Sequence, residues 1–182
     1  VSFVKEIAMI IKREIPRAKL TTKTWFCKNT PDFYRLFDEL DFVSYDNYPP
    51  VRIPDDPDEF YSHAFHLDFM RGIKGRNFWV MEQLSGPTGS WAPMAAAPRP
   101  GQIMGYALQA MAHGADTVVH FRWRTAVKGA EMFWHGLIDH SNVPGRRFFE
   151  FSELCKTAAK LSVIDTTEIV SDPFPPPGPG AR

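Results

Sequence analysis

Glu82 closes an apolar run in "NFWVMEQLSGPTGSW", residues 77–91, and a loop of Gly, Pro, Ser and Thr then leads to Trp91. A glutamate at the carboxyl end of a strand can serve as nucleophile or as general acid/base. Beside an Arg or Lys it is instead a structural ion pair. Trp91 either packs into a core or offers a flat wall to the apolar face of a pyranose. A second set lies in "KGAEMFWHG", residues 128–136, where Glu131 and His135 converge at i,i+4 if the segment makes a helical turn. Two metal ligands without a third make a poor site, so neither a metal nor another cofactor is expected. Holding sugar hydroxyls is the functional reading of that pair, and a loop-carbonyl contact from His135 is the structural one. The third set, Asp46 and Tyr48 in "SYDNYPP", either faces the same mouth or supplies turn chemistry. His113, in "AHGAD", reads as a helix cap on the opposite face and stays outside the site.

These residues need a frame that brings them together, and the hydrophobic periodicity supplies one. Val4, Ile7, Ile10 and Ile11 recur at helical spacing over residues 2–14, with Pro16 as the stop. "KLTTKTWF" reads as a strand, and Thr30 with Pro31 opens a helix whose inner face is Phe33, Leu36, Phe37 and Leu40. "DFVSYDNYPP" is a second strand. Asp56, Pro57 and Glu59 form a capping device for a helix through about Ile73. "NFWVMEQ" is a third strand, followed after its loop by a helix with Ile103, Met104, Ala107, Leu108 and Met111 inward and Gly114 as its stop. "DTVVHFRW" is a fourth strand, apolar enough to be covered on both faces. Residues 145–161 complete the series as a helix using Phe148, Phe149, Phe151, Leu154, Ala158 and Leu161.

Strict alternation of strand and helix predicts an α/β fold with parallel strands. Either a doubly wound open sheet or part of a (β/α)8 barrel fits, and no GxGxxG follows an early strand to favour the first. All the long, chemically busy loops follow strands, whereas the loops entering strands are short. In a barrel that asymmetry marks one active face. A whole barrel takes about 250 residues, so the 182 residues predict a partial TIM barrel of about four βα units cut from a longer protein. Residues 1–161 form that unit, and residues 162–182, ending "PFPPPGPGAR", read as a proline-rich disordered tail.

Acids and bases balance at 21 each, so charge argues for neither nucleic acid nor an anionic membrane as partner. The apolar run at residues 3–11 is too short and too charged for a signal peptide or a membrane span, and a cytoplasmic location is expected. Cys27 and Cys155 are expected as free thiols.

Taken together, "LDFVSYDNYPP", "FWVMEQLSGPTGSW", "RPGQIMGYALQAMAHGADTVVHFRWR" and "KGAEMFWHGLIDH" resemble the second half of the catalytic barrel of glycoside hydrolase family 42, the β-galactosidases. The resemblance runs from about Ala18 to Leu161. It implies strands five to eight of the barrel and a retaining enzyme acting on β-galactosides, with Glu82 as nucleophile. It further implies that Trp91 lines the sugar site, that Glu131 and His135 hold galactose hydroxyls, that Tyr48 is a site tyrosine, and that the parent protein is a homo-oligomer. Arg122 or Arg124 is the expected cation for keeping Glu82 ionised. The acid/base glutamate follows an asparagine in the family and falls upstream of Val1, so the chain alone is expected to be inactive. Relatives commonly place three steps between the glutamate and histidine matching Glu131 and His135, and here there are four. The family's Thr-Thr-Asn motif is "TTK" in this chain, so Lys23 is given no role. The alternatives are a non-catalytic remnant, a sugar-binding module, or another retaining barrel glycosidase such as an α-L-arabinosidase or β-fucosidase.

Overall fold

The computed structural model describes residues 1–26, 30–49, 51, 58–89 and 96–161. The helices are α1 (Ser2–Glu14), α2 (Phe33–Phe37), α3 (Asp58–Lys74), α4 (Gln102–Ala112) and α5 (Arg146–Leu161), and the strands are β1 (Ser44–Asn47), β2 (Phe78–Leu84) and β3 (Ala115–Phe121). The strands pair in the order β1-β2-β3, and both pairings are parallel. Each return from strand to strand therefore needs a crossover, and α3 and α4 provide them.

One face of the sheet is covered. Val43, Tyr45, Phe78, Val80 and Ala115 pack against Phe33, Leu36 and Phe37 of α2, Leu67 and Met70 of α3, and Ala110 of α4 in one buried cluster. The opposite face carries Trp79, 36% exposed, and Val119, 42% exposed. β3 was expected to be covered on both faces; it is covered on one.

Two helix boundaries differ from the sequence expectation for local reasons. The cap of α2 is Asp32 rather than Thr30, because the Asp32 carboxylate accepts the Arg35 amide at 3.1 Å. In α4 the buried residues are Gln102, Ile103, Tyr106, Ala107 and Ala110, so the packed face is turned away from Met104, Leu108 and Met111. Gln102 and Tyr106 can be buried there because the Gln102 amide donates to the Tyr106 hydroxyl at 3.0 Å. Gly114, at φ +96, takes the left-handed conformation that ends α4. His113 caps that end and bonds Asp68 at 2.6 Å, two residues before the amino end of β3.

The segment expected as the first strand, residues 19–26, runs extended beside β1 without joining the ladder. Its bonds are partly through side chains: the Thr21 hydroxyl donates to the Phe42 carbonyl at 2.8 Å and the Ser44 hydroxyl to the Thr22 carbonyl at 3.0 Å. The Asp46 amide reaches the Thr24 carbonyl at 2.6 Å. Hydroxyl groups take the places that ladder amides would fill, so the segment is held in place but is not a strand. Cys155 is a free, exposed thiol. Cys27, the Asp56–Pro57 cap, Trp91 and the tail at 162–182 lie outside the described residues.

Candidate active site

The carboxyl ends of the strands open onto a cavity of about 500 Å³ whose lining includes Lys23, Trp25, Asp46, Tyr48, Glu82, Phe121, Glu131 and Trp134. Glu82 reaches it through a register shift. Tyr45 pairs with Val80, but the next pair is Asp46 with Glu82, so Met81 is an extra residue on β2. Strict alternation would send Glu82 to the side of Phe78 and Val80, both fully buried. The shift re-aims it toward the cavity, a use of irregular register common beside active sites. A sequence of residue types carries no trace of that shift.

Both oxygens of Glu82 are engaged. The Tyr48 hydroxyl donates to Oε2 at 2.5 Å, and the Lys23 ammonium donates to Oε1. Lys23 also lies 3.2 Å from Asp46 Oδ2, so one ammonium bridges two carboxylates on adjacent strands. Burial works against the charge on Lys23, but the contacts with Glu82 and Asp46 outweigh it and hold the ammonium above its ordinary value. Burial, and then the neighbouring Glu82 charge, push Asp46 up to about 6, with Lys23 partly offsetting both. Burial and the bond to Glu82 drive the Tyr48 phenol well above the ordinary tyrosine value, so it is a donor at any working pH.

Glu131 stands across the cavity on the loop after β3 and is ion-paired with Arg122, whose guanidinium lies 4.5 Å from the Phe121 ring centroid. The cation beside Glu82 is Lys23 and not the expected Arg122 or Arg124: Arg122 pairs with Glu131, and Arg124 donates to the His140 carbonyl at 3.5 Å. The Phe121–Arg122 peptide is cis. Trp134 forms an aromatic wall, edge-on to Tyr48 at 4.9 Å between centroids. It is fixed because the loops after β2 and β3 pair with each other: Thr88 bridges Trp134, and the Gly89 and His135 amides donate to the Phe133 and Pro87 carbonyls at 3.0 Å. Trp25, 45% exposed, also lines the cavity.

Of the residues singled out from sequence, Glu82, Tyr48 and Glu131 meet in this cavity, together with Asp46. His135 is not among its lining residues; the ring bonds Asp139 at 2.9 Å, and Asp139 is also ion-paired with Arg147 of α5. Burial alone would raise Asp139, but the hydrogen bond from His135 and the Arg147 guanidinium bring it below the usual carboxylate value. Trp91 lies outside the described residues. Lys23, Trp25 and Trp134 were missed. Trp134 had a signal, an aromatic one residue before His135 in the busiest loop, whereas Lys23, 59 positions from Glu82, had only its place in "TTK", where the family motif has asparagine. No group of three or more His, Cys, Asp or Glu side chains suited to a metal occurs among the described residues.

Behind the site lies a buried polar relay. The Asn47 amide donates to Gln83 Oε1 at 2.8 Å and meets His63 Nε2 at 2.6 Å, while His63 Nδ1 meets Gln109 Oε1 at 2.5 Å. Burial holds His63 down to about 4, so the imidazole is neutral, accepting at Nε2 and donating at Nδ1. The relay ties the ends of β1 and β2 to α3 and α4 and so fixes the strand ends that carry Asp46, Tyr48 and Glu82.

The glycoside hydrolase 42 family profile, described as β-galactosidase, matches residues 1–161. The chain is 60% identical over 153 residues to β-galactosidase BgaA of Clostridium cellulovorans, covering 84% of this chain and 23% of that protein. The fold is similar to the crystal structure of a β-galactosidase from Bacillus circulans sp. alkalophilus, with a TM-score of 0.77 at 34% identity over 88% of this chain and 24% of that one. It is also similar to a GH42 β-galactosidase from G. stearothermophilus, with a TM-score of 0.79 at 26% identity over 89% of this chain and 25% of that one. The chain thus spans about a quarter of the length of the relatives it matches.

Proposed function

The chain belongs to glycoside hydrolase family 42, and on that premise we propose that it forms strands five to eight of a (β/α)8 barrel within a longer, retaining β-galactosidase. Glu82 is the nucleophile. It attacks the anomeric carbon of a terminal β-D-galactosyl residue, the bond to the leaving oxygen breaks, and a galactosyl ester forms on the carboxylate. Water then cleaves that ester with retention. The acid/base glutamate lies on a preceding strand, so the 182 residues alone lack both the other strands of the barrel and the general acid–base assistance that contributes about 10²–10⁴-fold, and are inactive. The parent is a homo-oligomer.

The observation that carries this reading is Glu82 itself, at the end of β2 in the cavity, with donors on both oxygens. Glu131, held by Arg122, is placed to accept galactose hydroxyls. Trp134 supplies an aromatic wall of the cavity, and Trp91 lines the sugar site. His135 braces the loop through Asp139 and Arg147.

The test is turnover of aryl β-galactoside, α-L-arabinoside and β-fucoside by the full-length protein. β-Galactoside should give the highest kcat/KM, and Glu82→Gln should abolish turnover of all three. Normal β-galactoside turnover by Glu82→Gln rules out the nucleophile assignment, and a preference for arabinoside or fucoside rules out the substrate.

A further inference from the structure

We infer that Lys23 is a positioning residue of this centre: its ammonium holds one oxygen of Glu82 while Tyr48 holds the other, and it keeps Asp46 as counter-charge when Glu82 is esterified. The inference rests on Glu82 being the nucleophile.

The geometry is a bridge. Lys23 comes from the extended segment beside β1, Asp46 from β1, and Glu82 from β2, and the two carboxylates occupy paired register positions. A lysine suits the place better than an arginine, because a compact ammonium with three rotatable donors can face two carboxylates from one point. The other charged or titratable groups around the cavity are Tyr48, which donates to Glu82, and Glu131, which is taken up by Arg122. Lys23 is thus the cation that Glu82 meets among the described residues.

The bridge has a consequence during turnover. At rest two carboxylates share one ammonium. Attack forms the bond from Glu82 to the anomeric carbon, breaks the bond to the leaving oxygen, which takes a proton from the general acid, and removes the charge of Glu82. Lys23 then faces Asp46 alone, a balanced pair that needs no proton transfer. Relief of the Glu82 charge removes one of the two causes that push Asp46 up to about 6, so ionised Asp46 is stabilised in the ester. Hydrolysis of the ester restores the starting arrangement.

The experiment is kinetics of the full-length protein on a nitrophenyl β-galactoside, whose good leaving group makes little demand on the general acid. Lys23→Met should lower kcat/KM at pH 7 by about tenfold or more, with KM changed by less than about threefold, and should move the acid limb of the kcat/KM profile up by about one pH unit, the usual effect of losing an opposite charge at contact distance. Lys23→Arg should restore the acid limb. Lys23 is 54% exposed, so folding should survive; if Lys23→Met does not fold, Lys23→Gln against Lys23→Arg makes the same comparison. Overlapping pH profiles for Lys23→Met and wild type, with Glu82→Gln inactive, would make Lys23 a bystander and overturn the inference while leaving the nucleophile in place. Activity in Glu82→Gln would remove the premise instead.

Discussion

Asp46→Asn should stabilise the protein above about pH 6 and leave it unchanged in acid. Asp46 is an acid whose folded value, about 6, lies above the model-peptide value of 3.8. The folded state therefore binds the proton more tightly, and this favourable contribution is complete below pH 3.8 and lost as pH rises through 6. About two units at 1.36 kcal/mol each amount to about 3 kcal/mol of cost carried by the ionised side chain at neutral pH. The side chain is only 11% exposed, so solvent screening takes away little of that figure. Asparagine keeps the shape and removes the charge, and the loss of the ion pair with Lys23 is already contained in that figure, because Lys23 is among the groups that set the value of about 6. The gain is about 3 kcal/mol, or about 6–12 °C in Tm for a domain of this size. Thermal unfolding of both proteins at pH 3.5, 5, 6 and 7.5 is the assay. A gain of the same size at every pH, or a lower Tm for the variant at pH 7.5, refutes the electrostatic argument. The gain should come with lost activity, since strained charge is tolerated where function uses it.

Tyr48→Phe removes the donor on Glu82 Oε2 and should lower kcat/KM by about 10- to 100-fold, the scale of a hydrogen bond to a charged group, while the protein stays folded; an unchanged kcat/KM contradicts the orienting role. His63 and His120 are both held down to about 4 by burial, so each contributes stability that is present above pH 6.5 and lost as pH falls toward 4. His120→Leu should remove roughly half of that acid loss, measured as a flatter plot of Tm against pH than wild type. At Gly136 an added Cβ would stand 2.6 Å from the Arg122 carbonyl oxygen, with backbone on every near side. Gly136→Ala should therefore cost about 1–3 kcal/mol in denaturant unfolding and displace the loop that carries Arg122 and Glu131.

The frame was legible where burial and periodicity agree. "NFWVMEQ" and "DTVVHFRW" announced β2 and β3 because one face of each lies against the helices, and the carboxyl-end rule brought Glu82, Tyr48 and Glu131 to one cavity. "KLTTKTWF" has strand composition but makes hydroxyl contacts where a strand makes ladder bonds, a choice set by its neighbour and not by its own residues. The turned face of α4 depends on a Gln102–Tyr106 bond that lets two polar side chains enter the core. His135 reads as a partner of Glu131 because it follows by four; its bond to Asp139, and the pairing of its loop with Pro87 and Thr88, depend on residues distant in sequence and leave no local pattern. Lys23 was illegible because an ion pair across 59 positions leaves no local pattern, and its role depends on the register shift at Met81.

The nucleophile is tested most directly by trapping. A 2-deoxy-2-fluoro-β-galactosyl fluoride, in which the fluorine slows release of the ester, should inactivate the full-length protein, and digestion followed by mass spectrometry should find one sugar on the peptide that contains Glu82, attached at that residue. A stoichiometric label on Asp46, on Glu131 or on a peptide outside residues 78–84 would contradict the account.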